Sequence, residues 1–159
     1  MHILMCNDDG ILADGLRHLA SYLSQYYRIT VVAPANEQSA KSHALTTEVP
    51  LKLDACNGED ENPRLYALTG TPSDCMKFGL SYLLTDDMPD LVISGINHGF
   101  NLGSDVLYSG TVSAAMESGF YGIPGLALSV ERYSVERGDE MHPFIHELIE
   151  KIYVVGQFS

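Results

Sequence analysis

A chain of 159 residues, of which 45% are hydrophobic, is long enough to bury one core, and we expect one domain spanning residues 1–159. Its net charge of −12 argues against binding to a nucleic-acid polymer, which requires a basic surface. No secretory signal and no apolar run long enough to span a membrane is apparent, so we expect a cytoplasmic protein.

Strand-like and helix-like segments alternate along the chain. The apolar run before Asn7 is typical of a buried strand. Further strands are predicted at 28–33, 51–53, 65–68, 90–95 and 125–130, and helices at 14–24, 72–84, 111–120 and 142–153. This order predicts an α/β fold, a Rossmann-like three-layer sandwich with a mainly parallel sheet.

The first predicted strand ends in the segment Asn7-Asp8-Asp9-Gly10. Ligands of open parallel sheets bind at the carboxyl ends of the strands, which is where these two carboxylates lie. Adjacent carboxylates repel one another, and a hard divalent cation relieves that repulsion. A polar turn that caps the next helix explains the same residues, so the segment alone leaves both interpretations open.

Two other predicted strands are followed by polar loops at the same edge of the sheet. One loop contains Asn36, Ser39 and Ser42, and the other, after Gly95, contains Asn97. Carboxylate, hydroxyl and amide oxygens favour Mg²⁺, Mn²⁺ or Ca²⁺ over zinc. The segment Tyr108-Ser109-Gly110-Thr111-Val112 then begins a helix, where backbone N–H groups and hydroxyls can bind an anion. A metal beside an anion site suggests phosphoryl chemistry.

The same residues resemble the survival protein SurE family of metal-dependent nucleoside-monophosphate phosphatases. The matching blocks occur in the same order and cover nearly the whole chain: Asn7–Gly10, Ser39, Gly70–Cys75, Ser94–Asn97 and Asn101–Glu117. The last block is long and therefore highly specific.

The resemblance implies one divalent cation per subunit, Mg²⁺ or Mn²⁺, with Ca²⁺ able to occupy the site. It implies that the cation is bound by Asp8, Asp9, Ser39 and Asn97, and that Asp8, Asp9 and Asn97 form the catalytic set. Ser109, Gly110 and Thr111 are implied to lie near the phosphate of a nucleoside 5′- or 3′-monophosphate. A homo-oligomer, expected to be a dimer, is also implied.

The chain departs from the family pattern in three places. The serine loop reads Gln38-Ser39-Ala40 instead of Arg-Ser-Gly, and Ser113 replaces a glycine. The chain is also shorter than family members, so we expect the C-terminal third, including an arm exchanged between subunits, to be absent. Two alternatives to the phosphatase therefore stay open: a nucleotide- or phosphate-binding module that has lost turnover through truncation, and a structural subunit that binds Ca²⁺.

Several polar residues have competing interpretations. His98 is either a general acid for the leaving group or a solvent-facing group, and His43 belongs to the loop after the second strand without an assigned role. His142 and His146 have a zinc-compatible spacing, but the intervening Pro143 favours a solvated helix start. Thr71 and Asp74 have the spacing of helix-capping residues.

Overall fold

The structure, a computed structural model, describes residues 1–38, 44–58 and 60–156. Within these ranges, strands and helices alternate as predicted. The strands are β1 (His2–Cys6), β2 (Arg28–Pro34), β3 (Leu53–Ala55), β4 (Arg64–Leu68), β5 (Leu91–His98) and β6 (Gly125–Val130). The α-helices are α1 (Asp14–Leu23), α2 (Pro72–Phe78), α3 (Gly110–Glu117) and α4 (Val135–Gly156).

The strands form one sheet in the order β3-β4-β2-β1-β5-β6. All neighbouring pairs are parallel except β3 with β4, which form an antiparallel pair. The central strand β1 pairs with β2 on one side and with β5 on the other. Chain connections therefore diverge on either side of β1, and this divergence opens a crevice at the carboxyl end of the sheet.

The side chains of β1 alternate between two hydrophobic cores. Ile3 and Met5 pack with buried residues of α1 and α4 on one face of the sheet. Leu4 and Cys6 pack with buried residues of α2 and α3 on the other face. Successive side chains of a strand point to opposite faces of the sheet, so a strand that is apolar throughout needs helices packed on both faces. The three-layer α/β sandwich predicted from the sequence is confirmed.

Several element boundaries differ from the prediction. The strand predicted at 51–53 lies at Leu53–Ala55, and the helices predicted at 72–84 and 111–120 are α-helical only to Phe78 and Glu117. Two further differences concern β5 and α4. The fifth strand was expected to end at Gly95, but β5 continues to His98 with a shift in its pairing to β6 between Ser94 and Asn97. The last helix was expected to begin at His142, but α4 begins at Val135 and continues through Pro143. Pro143 cannot donate a helical hydrogen bond because it has no backbone N–H. The helix is nevertheless stabilised by tertiary packing, since Ile145 and Ile149 of α4 are buried in the core around α1.

The longer α4 also overturns the expectation for its histidines. His142 does not lie at a solvated helix start: it is buried, and its ring lies 5.1 Å from that of Tyr22. His146 stacks on Tyr26 at a ring separation of 4.1 Å. His142 therefore helps to pack α4 against α1, and His146 packs α4 against the turn that follows α1.

The capping prediction for α2 is confirmed. The Thr71 hydroxyl accepts a hydrogen bond from the Asp74 backbone N–H, and the Asp74 carboxylate accepts one from the Thr71 N–H. Asp74 also accepts from the Thr46 hydroxyl at 2.6 Å. Burial raises the pKa of Asp74, but these hydrogen bonds to the ionised carboxylate outweigh it, so the pKa lies below its ordinary value.

No helix in the described part of the chain combines the length and the apolar character needed to cross a membrane.

Two buried histidines make the stability of the fold depend on pH. His2 is hydrogen-bonded to the Thr30 hydroxyl, and burial followed by the nearby Arg28 lowers the pKa of His2 below 6.5. Burial likewise lowers the pKa of His142, whose Nε2 atom has no hydrogen-bond partner among the described residues. The unfolded chain therefore binds protons on these histidines at a higher pH than the folded chain does.

We expect the contribution of these two histidines to the free energy of unfolding to be greatest above about pH 7 and to decrease as pH falls through about 6.5 toward 5, where protonation favours the unfolded chain. Urea unfolding measured across this range checks the sign. The double variant His2→Gln/His142→Gln should flatten the slope, and an unchanged slope in that variant would show that other groups are responsible.

Candidate active site

A cavity of about 730 Å³ lies in the crevice at the carboxyl ends of β1 and β5. This volume is within the range typical of small-molecule sites. Asp8 and Asp9 line it after β1, Asn97 and His98 line it at the end of β5, and Ser109 lines it beside α3. The segments after β1 and at the end of β5 are distant in sequence but meet at one place, because these two strands are parallel neighbours in the sheet.

A tight turn places the two adjacent carboxylates in the cavity. The side chain of Asn7 accepts a hydrogen bond from the Gly10 N–H and donates one to the Gly10 carbonyl, both at 3.1 Å. Gly10 has a φ of +100°, a conformation that residues with a Cβ rarely adopt. The chain therefore leaves the strand geometry directly after β1, and both Asp8 and Asp9 reach the cavity.

Asp8 is buried and has a defined orientation. The Thr111 hydroxyl of α3 donates a 2.7 Å hydrogen bond to Asp8 Oδ1. Gly110 packs closely against the same carboxylate, since a Cβ at position 110 would lie 2.9 Å from Asp8 Cβ. Of the three residues that the resemblance placed near a phosphate, Ser109 lines the cavity, whereas Gly110 and Thr111 support Asp8.

Burial makes ionisation of the acidic pair unfavourable. Desolvation raises the pKa of Asp8, an effect that the Thr111 hydrogen bond partly offsets. Desolvation and then the charge of Asp8 raise the pKa of Asp9, while the backbone N–H of His98 donates to Asp9 and opposes the shift. A cation between the two carboxylates would favour their ionised forms.

The cavity is lined by negatively charged side chains. The described residues that line it include the carboxylates of Asp8, Asp9, Asp14, Glu37 and Asp105, but no lysine or arginine. No three His, Cys, Asp or Glu side chains in residues 1–38, 44–58 and 60–156 are arranged so that they could hold a metal. Any cation here would therefore need other oxygen donors besides the acidic pair, such as amides and hydroxyls.

The end of β5 provides an amide. Gly95 has a φ of +128°, and a Cβ there would lie 2.3 Å from the Leu128 carbonyl oxygen, so only glycine fits. The pairing shift that follows Gly95 carries Asn97 to the cavity. Asn97 Nδ2 donates a 2.7 Å hydrogen bond to the Gly99 carbonyl, which directs Oδ1 away from Gly99.

Part of the predicted ligand set lies outside the described residues. Ser39, Ser42 and His43 belong to the range 39–43, so their predicted roles stay predictions. The chain just before this range is close to the acidic pair, because the Gln38 N–H donates a 2.8 Å hydrogen bond to the Asp8 carbonyl.

Three residues that line the cavity have no functional role predicted from the sequence: Asp14, Phe100 and Tyr133. Tyr133 follows β6, so the rule that sites form at the carboxyl ends of parallel strands would have identified its loop.

The comparison with known proteins agrees with this geometry. The family model for survival protein SurE matches residues 3–157. The chain belongs to the SurE family. A protein named 5′-nucleotidase SurE from Thermoanaerobacter sp. (strain X514) is 49% identical over 156 residues, which is 98% of this chain and 61% of that protein. A protein of the same name from Vibrio vulnificus (strain YJ016) is 50% identical over 130 residues, covering 82% of this chain and 49% of that protein.

A solved SurE structure has the same fold. The crystal structure of the SurE protein from Aquifex aeolicus superimposes with a TM-score of 0.82 at 38% sequence identity, covering 96% of this chain and 60% of that one. The present chain thus spans less than two thirds of the length of these SurE relatives.

Proposed function

We propose that this chain is a divalent-metal-dependent phosphatase that hydrolyses nucleoside 5′- and 3′-monophosphates to nucleoside and phosphate. The observation that carries the proposal is the meeting of Asp8, Asp9, Asn97 and Ser109 in one cavity at the divergence point of the sheet. The names of the SurE relatives, 5′-nucleotidase, support the same activity.

The donor set fits a hard cation. Asp8, Asp9 and Asn97 offer carboxylate and amide oxygens, and Ser39 is the hydroxyl ligand implied by the family motif. A cation bound there would neutralise charge on a phosphoryl oxygen and lower the pKa of a water molecule. Either Mg²⁺ or Mn²⁺ suits this set, and Ca²⁺ fits the same ligands.

The protein groups around the carboxylates keep them in position. Thr111 fixes the rotation of Asp8 by its hydrogen bond to Oδ1. The backbone N–H of His98 favours the ionised form of Asp9. The Ser109 oxygen accepts a hydrogen bond from the Val112 N–H at the start of α3, which leaves the hydroxyl proton to donate to a phosphate oxygen.

Removal of the metal is the first test. Phosphate release from GMP or AMP should disappear in excess EDTA and return on addition of Mn²⁺ or Mg²⁺, because the carboxylates cannot bind an anionic substrate without a cation. The far-UV circular dichroism should not change, since the hydrophobic cores do not include the acidic pair. Full activity in EDTA would refute metal dependence, and nucleotide binding without phosphate release would indicate a binding module.

We propose further that the chain associates as a dimer. Strand β6 ends the sheet in the described residues, and Met116 of the neighbouring α3 is 61% exposed. Exposed strand edges and apolar side chains favour association. Sedimentation velocity at several concentrations tests this, and a strictly monomeric chain at all of them would contradict it.

A further inference from the structure

The lining of the cavity includes an aromatic ring that contacts two helices of the core. Tyr133 lines the cavity from the loop between β6 and α4. Its hydroxyl oxygen lies 3.2 Å from Nδ1 of His18 on α1, with the two rings 6.2 Å apart. The ring is thus attached to a helix of the core and is not a mobile loop side chain.

Two glycines fix the same ring from both sides. A Cβ at Gly15 of α1 would lie 3.5 Å from Tyr133 Cδ2, so the ring packs over that helix start. A Cβ at Gly138 of α4 would lie 2.5 Å from the Tyr133 hydroxyl, so the helix backbone approaches the ring closely. Phe100 and Tyr108 also line the cavity, but they are 54% and 65% exposed. Tyr133, which is half-buried, is therefore more closely packed against the fold than these two rings.

A carboxylate lines the cavity next to the residue over which this ring packs. Asp14, the first residue of α1, precedes Gly15 in the chain and lines the same cavity as Tyr133. Burial, followed by the charges of Asp139 and Asp14, raises the pKa of the Tyr133 phenol. Besides the acidic pair and the Ser109 hydroxyl, the cavity lining thus includes an aromatic ring and a separate carboxylate acceptor.

We propose that Tyr133 and Asp14 form a nucleobase subsite that favours guanine nucleotides. The proposal rests on the nucleotidase function above and names the base that this function would select. An aromatic ring stacks on any base. The Asp14 carboxylate adds discrimination, because guanine presents two adjacent N–H donors whereas adenine presents an acceptor beside its amino group.

The test uses nucleosides, which lack the phosphate, so that it does not depend on hydrolysis. Binding of guanosine and adenosine to the metal-loaded chain is measured by ligand-observed NMR. We expect guanosine to bind more tightly and Tyr133→Leu to weaken guanosine binding about tenfold, while Tyr133→Phe, which keeps the ring, largely preserves it. Tyr82→Leu, at an exposed tyrosine outside the cavity, is the matched control. Asp14→Asn should reduce the guanosine-to-adenosine affinity ratio about tenfold.

A second measurement separates base recognition from a packing role of Tyr133. We compare kcat/KM for GMP with that for ribose 5-phosphate, which has the phosphate and sugar but no base. Tyr133→Leu should lower the ratio of the two values about tenfold, whereas a residue that only packs α1 against α4 would lower both equally. An unchanged ratio, or equal binding of both nucleosides by the unmodified chain, overturns the subsite. Guanosine binding with the expected variant effects but without phosphate release from any ester supports the subsite and refutes the proposed hydrolysis.

Discussion

Asp9→Asn is expected to lower the rate of phosphate release from nucleotides at least about a hundredfold, equivalent to roughly 3 kcal/mol of transition-state stabilisation. The substitution keeps the size of the side chain and removes one of the two formal charges that we assign to the cation. The affinity for Mn²⁺, measured by titration calorimetry, should decrease in parallel. Asp86→Asn, at an exposed carboxylate outside the cavity, is the matched control and should leave both quantities unchanged.

The stability of the same variant distinguishes a functional from a structural role. Burial and the charge of Asp8 both raise the pKa of Asp9, so its ionised form is unfavourable in the metal-free fold. A neutral asparagine removes that cost, and we expect the free energy of unfolding in EDTA to be unchanged or higher. A variant that lost activity only because it unfolded more easily would contradict the assigned role.

His98 provides the comparison within the site. It lines the cavity, and its backbone N–H, which substitution to alanine preserves, lowers the pKa of Asp9 more than its side-chain charge does. His98→Ala should therefore cost less activity than Asp9→Asn. The reverse order would make the histidine side chain the central group and would require a different mechanism.

The sequence predicted those parts of the fold that depend on local pattern. Buried strands such as β1 and β6 are short apolar runs bounded by turn residues, and their positions followed directly. The end of β5 could not be predicted in this way, because the segment after Gly95 is polar and resembles a loop. It stays extended to His98 because it pairs with β6. The start of α4 was missed because Pro143 is typical of a first helical turn, while packing against α1 extends the helix before it.

The residues of the candidate site also fall into those that the sequence pattern predicts and those that depend on tertiary packing. Asp8, Asp9 and Asn97 could be placed at one edge because each follows a recognisable strand. The hydrogen bond from Thr111 to Asp8 depends on how α3 packs beside β1, which no local pattern encodes. Tyr133 was missed for a similar reason, since its position depends on contacts with both α1 and α4.

Gly110→Ala is expected to reduce phosphate release about a hundredfold while changing the stability of the fold little. A Cβ at this position would lie 2.9 Å from Asp8 Cβ and 3.1 Å from Asp8 Oδ2, closer than such atoms normally approach. Either Asp8 or the start of α3 must move, and a displacement of about 1 Å in a catalytic group can cost about 10²-fold in rate. Alanine also restricts the unfolded chain more than glycine does, which offsets part of the strain in the free energy of unfolding.

Gly119→Ala is the matched control for this substitution. Gly119 lies in the short 3₁₀ turn after α3, and a Cβ there would have no atom within 4 Å, so the added methyl group meets open space. Steady-state kinetics and urea unfolding of both variants separate the two effects: Gly110→Ala should lose rate at near-normal stability, and Gly119→Ala should lose neither. If the Gly110→Ala variant released phosphate at the full rate, catalysis would tolerate a displacement of Asp8. The close packing of α3 against Asp8 would then have no catalytic consequence.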